Sequence, residues 1–123
     1  MVDADRGTIL VVDDTADIRT LCRINLELAG YEVIEAVDGH DALTVLKATV
    51  PRAVLLDVMM PGLDGFGVLS EVRADRQFDD VAVIMMSALA RVGDRERALA
   101  NGADGYVAKP FLADAIVQIL DGH

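Results

Sequence analysis

Thr8-Ile9-Leu10-Val11-Val12-Asp13-Asp14 is an unbroken run of strand-forming residues that stops on two carboxylates. A strand with one wet face alternates apolar and polar residues. A continuous apolar run instead reads as a strand covered on both faces. The same pattern returns at Ala53-Val54-Leu55-Leu56-Asp57, again ending on a carboxylate. Further strand-like runs begin near Tyr31, Val81 and Asp104. The starts recur about every 22 to 28 residues, the length of a strand–helix unit with short loops.

Between these runs the pattern turns helical. Ile18, Leu21, Cys22, Asn25 and Leu28 follow i, i+3, i+4 spacing. This predicts a first helix with those residues inward, capped by Asp14 or Thr15 and stopped at Gly30. Ala42, Leu43, Val45 and Leu46 supply a second helix after Asp38-Gly39, and Pro51 breaks the chain before the third strand. Phe66 to Ala74 reads as the third helix, with Val68, Leu69 and Val72 inward. Asp94 to Ala100, closed by Asn101-Gly102, is the fourth, and Ala113 to Leu120 the fifth. Strict alternation implies an α/β fold: a doubly wound, five-stranded parallel sheet of order 2-1-3-4-5, flavodoxin-like, with five helices on both faces. Residues 1–123 read as one domain, with 1–7 as an N-terminal tail. That strand order opens a crevice at the carboxyl ends of strands one and three, where Asp13, Asp14 and Asp57 fall.

Bulk properties narrow the function. The 123 residues are 53% hydrophobic and carry a formal net charge of −10. An acidic surface disfavours direct contact with nucleic acid or an anionic membrane. Arg91, Arg95 and Arg97 read as a solvated helix face. Cys22 is the only cysteine, which excludes an intrachain disulfide and suits a reducing compartment. Met1 to Gly7 lacks signal-peptide character, and the longest apolar stretch is too short to span a bilayer. The expectation is a cytoplasmic protein.

Three carboxylates gathered at one crevice repel each other, and a hard divalent cation such as Mg²⁺ relieves this with oxygen ligands. The first loop, Asp13-Asp14-Thr15-Ala16-Asp17, has no glycine. It therefore cannot cradle a bare phosphate through close backbone N–H groups. A phosphoryl group fits there only across a cation. Lys109 follows the fifth strand and brings an ammonium to the carboxylates. Ser87 ends the fourth strand and offers a hydroxyl. With only His40 and His123 in the chain, neither a serine hydrolase nor a zinc site is indicated.

Val11-Val12-Asp13-Asp14, Leu55-Leu56-Asp57-Val58-Met59-Met60-Pro61-Gly62-Leu63-Asp64-Gly65, Met86-Ser87-Ala88 and Lys109-Pro110-Phe111 together resemble the receiver domain of two-component response regulators. The resemblance covers the whole chain, in order. It implies that Asp57 accepts a phosphoryl group from a phosphohistidine of a histidine kinase or phosphotransfer protein. It implies Mg²⁺ on Asp14, on Asp13 directly or through water, on Asp57 and on the backbone carbonyl of Met59. It gives Lys109 and Ser87 to the phosphoryl oxygens. It makes Ser87 and Tyr106 the switch residues that change the face of helix four, strand five and helix five. It implies a signalling switch rather than an enzyme. In the family, the side chains at Met59 and Leu89 flank the path of attacking water, and both are apolar here. An alternative is an Mg²⁺-dependent phosphatase with an aspartyl nucleophile. That chemistry wants a second Asp two residues after the nucleophile, where this chain has Met59.

Overall fold

The computed structural model describes residues 6–87, 93–109 and 118–120. In chain order these form β1 (Thr8–Val12), α1 (Ala16–Leu28), β2 (Glu32–Ala36), α2 (Gly39–Ala48), β3 (Ala53–Asp57), α3 (Gly65–Ala74), a short 3₁₀ helix (Arg76–Phe78), β4 (Ala82–Ser87), α4 (Asp94–Ala100) and β5 (Gly105–Ala108). The five strands are parallel in the order β2-β1-β3-β4-β5, as expected.

Alternate residues of each strand enter two separate cores. Leu10, Val12, Val54, Leu56, Val83 and Met85 pack with Leu46 of α2, Val68 of α3 and Ala98 of α4. Ile9, Val11, Leu55, Ile84 and Met86 pack with Cys22 and Leu26 of α1 and with Leu120. Burial on both faces explains why the strands lack polar alternation. Residues 118–120 are helical, and the rest of the expected fifth helix lies outside the described residues.

The helix bounds follow local chemistry. Asp38 and Asp64 cap α2 and α3 by accepting from the N–H groups of Asp41 and Gly67 at 2.8 and 2.9 Å. The chain leaves α1 at Gly30, with φ of 98°. The expected inward set of α3 is buried as predicted. That of α1 needs correction. Leu21 and Leu28 are 43% and 82% exposed, and the residues that meet the sheet are Cys22 and Leu26, with Ile18 beside them. Ile18, Cys22 and Leu26 form an i, i+4, i+8 stripe that competes with the predicted one, and the sheet selects it. The 3₁₀ helix, capped by Asp75 through the N–H of Gln77, was not foreseen. Arg6 and Gly7, placed in the tail by sequence, are engaged: Arg6 donates to the carbonyl of Ala29, and Gly7 accepts from the N–H of Glu32.

Candidate functional site

The carboxyl ends of β1, β3, β4 and β5 bring the site together. Asp13 and Asp14 follow β1, Asp57 ends β3, Ser87 ends β4 and Lys109 follows β5. The strand register sets their order. Asp57 lies opposite Met86 and Ser87 opposite Ala108, so Ser87 stands one residue past the last β3–β4 rung and Lys109 one past the last β4–β5 rung. The Lys109 N–H donates to the Ser87 carbonyl at 2.7 Å, which ties those two backbones together.

One carboxylate oxygen from each of Asp13, Asp14 and Asp57 lies within 4.8 Å of the others. Asp13 and Asp57 are buried and Asp14 is exposed. Lys109 Nζ stands between the two buried ones, 2.6 Å from Asp13 Oδ2 and 3.3 Å from Asp57 Oδ2. The shorter of the two bonds goes to Asp13. Asp57 Oδ1 accepts from the Met59 N–H at 3.2 Å. Burial, and then the charge of Asp13, push the Asp57 carboxyl above its usual range, while Lys109 and the Met59 N–H pull back against them. Burial alone would lower the Lys109 ammonium. Its bond to Asp13 and the charge of Asp57 outweigh burial and raise it. Behind the site, burial and then Asp13 push the Cys22 thiol up to about 12, so it stays neutral. It behaves as the small buried hydrophobe that its position in the helix predicts.

Three oxygen donors on three acidic side chains suit a hard divalent cation. In an Mg²⁺ octahedron with bonds of about 2.1 Å, opposite oxygens stand about 4.2 Å apart. Adjacent oxygens stand about 3.0 Å apart, so the three carboxylates, within 4.8 Å of one another, would draw together around the ion. The donor set therefore fits Mg²⁺.

Every polar group of Asp13 is engaged. Its Oδ1 accepts from the Thr15 N–H at 2.9 Å, and its own N–H donates to the Ala36 carbonyl at 3.3 Å. Its carbonyl accepts from Arg19 Nη1 at 2.7 Å. Arg19 Nε in turn donates to Glu35 Oε1 at 3.1 Å. Sequence reasoning missed Arg19 and Glu35. The available signal was Glu35 itself, a charge near the end of the apolar strand run Glu32–Ala36.

Two glycines set the approach of the neighbouring loops. A Cβ on Gly65 would collide with the carbonyl oxygen of Asp57, and one on Gly39 with that of Leu63. The starts of α3 and α2 can therefore rest directly on the backbone of β3 and its following loop. Tyr106 is half-buried against the α2–α4 core, and its hydroxyl is buried without a hydrogen-bond partner among the described residues. Met59 is 54% exposed beside the site. Leu89, Arg91, Pro110 and Phe111, which the sequence reading also used, lie outside the described residues.

The sequence and the fold match those of known proteins. Residues 9–121 match the response regulator receiver domain. The chain belongs to that family. It is 52% identical over 110 residues to the probable transcriptional regulator ycf27 of Pyropia yezoensis, covering 89% of this chain and 44% of that one. It is 41% identical over 103 residues to the DNA-binding dual master transcriptional regulator RpaA of Synechocystis sp., covering 84% of this chain and 43% of that one. The receiver therefore spans less than half the length of these curated relatives. Among solved structures, chemotaxis protein CheY4 of Vibrio cholerae superposes with a TM-score of 0.86 at 30% identity, over 94% of this chain and 97% of that one. As a response regulator receiver, the chain is a signalling module of two-component systems, and its acidic cluster is of the kind such receivers fill with Mg²⁺. No helix among the described residues is long and apolar enough to cross a membrane.

Proposed function

We propose that this receiver is a phosphorylation-dependent switch with Asp57 as phosphoacceptor. A histidine kinase or phosphotransfer protein presents a phosphohistidine. A carboxylate oxygen of Asp57 forms the new bond to phosphorus as the phosphorus–nitrogen bond breaks. The imidazole keeps the electron pair and takes its proton from solvent. Asp57 needs no general base, because a carboxylate attacks as the anion and has no proton to lose. Asp14, Asp57, the Met59 carbonyl and Asp13, directly or through water, would hold Mg²⁺. When bound, the ion supplies positive charge to the transferring oxygens. Lys109 holds one phosphoryl oxygen and the Ser87 hydroxyl another.

The observation that carries this reading is the bridge from Lys109 to both Asp13 and Asp57. An ammonium beside the Asp57 carboxylate supports a role in meeting phosphoryl charge there. New charge on Asp57 draws Ser87 inward, and Tyr106 follows into a more buried position. The face of α4, β5 and the following helix then changes its affinity for a partner. The exposed acidic surface argues against nucleic acid contact by this unit itself, and the setting is cytoplasmic. Met59, two residues past Asp57, offers no acid–base group, which weighs against a phosphatase.

Intact-mass measurement after incubation with Mg²⁺ and acetyl phosphate tests the proposal. One added phosphoryl group is expected, absent in Asp57→Asn and in EDTA. An adduct on Asp57→Asn, or none on the native chain, refutes the assignment. Turnover of phosphomonoesters without a stable adduct would favour the phosphatase.

A further inference from the structure

Asp13 is the most constrained residue of the site, and its constraint comes partly from outside the acidic cluster. Its carboxylate is held by Lys109 and by the Thr15 N–H. Its backbone is held by Ala36 of β2 and by Arg19 of α1. Arg19 is itself fixed. Its Nε is bound to Glu35 Oε1, and the other oxygen of Glu35 accepts from Arg23 Nε at 2.9 Å and Nη2 at 2.8 Å. The Arg19 side chain is only 15% exposed. A planar guanidinium can make both of its bonds at once, whereas an ammonium has one point of charge.

We propose that Arg19, braced by Glu35, is a positioning residue for the cation site. It holds the corner between β1 and α1 so that the Asp13 and Asp14 carboxylates face Asp57. The proposal rests on the Mg²⁺ reading above and adds an element to it. It also opposes simple electrostatics. Arg19 is a cation beside a cation site, so a bystander role would make its removal tighten Mg²⁺ binding. A positioning role makes removal weaken it. Outer partners of metal ligands commonly change affinity by about 10- to 100-fold.

The experiment is a titration of the native chain, Arg19→Ala and Arg19→Lys with Mg²⁺ alone, followed by amide NMR, alongside thermal unfolding. Arg19→Ala is expected to bind Mg²⁺ about tenfold more weakly, the low end of that range. Arg19→Lys keeps the charge but loses the fork, and should fall between Arg19→Ala and the native chain. Without Mg²⁺, hydrogen exchange at the Thr15 amide should quicken in both variants. Tighter binding by Arg19→Ala, with Arg19→Lys equal to native, would show a bystander charge and overturn the proposal. Unchanged affinity with lowered thermal stability would show a plain staple between α1 and β2, and also overturn it. A native chain that ignores Mg²⁺ would bring down the metal reading itself, which the native titration separates from the other failures. If Arg19→Ala does not fold, the contrast between Arg19→Lys and the native chain decides.

Discussion

At the amino ends of β4 and β5, Arg73 donates to the carbonyls of Gly102, Phe78 and Val81 and to Asp104 Oδ2, at 2.8 to 3.2 Å. Asp104 Oδ2 also accepts from the Val83 N–H at 2.8 Å. Among the described residues Arg73 pairs with Asp104 there, and backbone groups bond to both. At the carboxyl ends of the same sheet, among the described residues, three carboxylates gather and one ammonium bonds two of them. Both ends bury charge. Only the first balances it, and the second keeps an excess of negative charge. A balanced buried cluster serves the fold, while an unbalanced one is poised for a ligand.

The largest expected effect breaks the balanced end. Arg73→Met strips Asp104 and three carbonyls of their donor and should lower stability by about 2–3 kcal/mol, the scale of charged hydrogen bonds. Urea unfolding measures it, and labelling by acetyl phosphate should persist in the folded protein. Lys109→Met comes next, because it deepens the imbalance. Stability without metal should fall by about 1–2 kcal/mol. Added Mg²⁺ should restore more melting temperature in this variant than in the native chain.

Asp57→Asn should have the opposite sign. The folded chain raises the Asp57 carboxyl above its ordinary value of 3.8, through burial and then Asp13. It therefore holds that proton more tightly than the unfolded chain does. The stability this contributes is complete below 3.8 and lost as pH rises through the raised value. Above that value the buried charge is a net burden, and the variant should be the more stable of the two without metal. Thermal scans across pH should show the native chain and the variant converging on acidification. The smallest effect calibrates the others. Arg97 lies 3.8 Å over the Phe66 ring, an exposed cation on an aromatic face belonging to neither end. Phe66→Leu should cost about 0.5 kcal/mol, read as a slight fall in melting temperature.

The sheet order and the strand ends were legible because apolar runs and terminal carboxylates repeat along the chain. The inward face of α3 was legible because its apolar residues leave one choice. In α1 two apolar stripes share Ile18 and Cys22, and only packing against the sheet decides between Leu28 and Leu26. The members of the acidic cluster were legible because each closes a strand run, and the resemblance added their expected roles. Its wiring was not, because the shorter Lys109 bond depends on how far β5 extends past β1. Arg19 and Glu35 were hidden for a similar reason. They lie 16 residues apart and meet only once α1 folds back on β2.

Gly39 and Gly65 carry a practical consequence for engineering. Anyone transplanting this site onto another sheet would think first of the acidic side chains and the lysine. Yet the backbone carbonyl of Asp57 touches the start of α3, and the loop beyond it touches the start of α2, each through a position that tolerates no side chain. A graft bearing alanine for Gly65 would push on the Asp57 peptide, and one bearing alanine for Gly39 on the Leu63 peptide, before any ligand arrived. The smallest portable unit is five side chains and two missing ones.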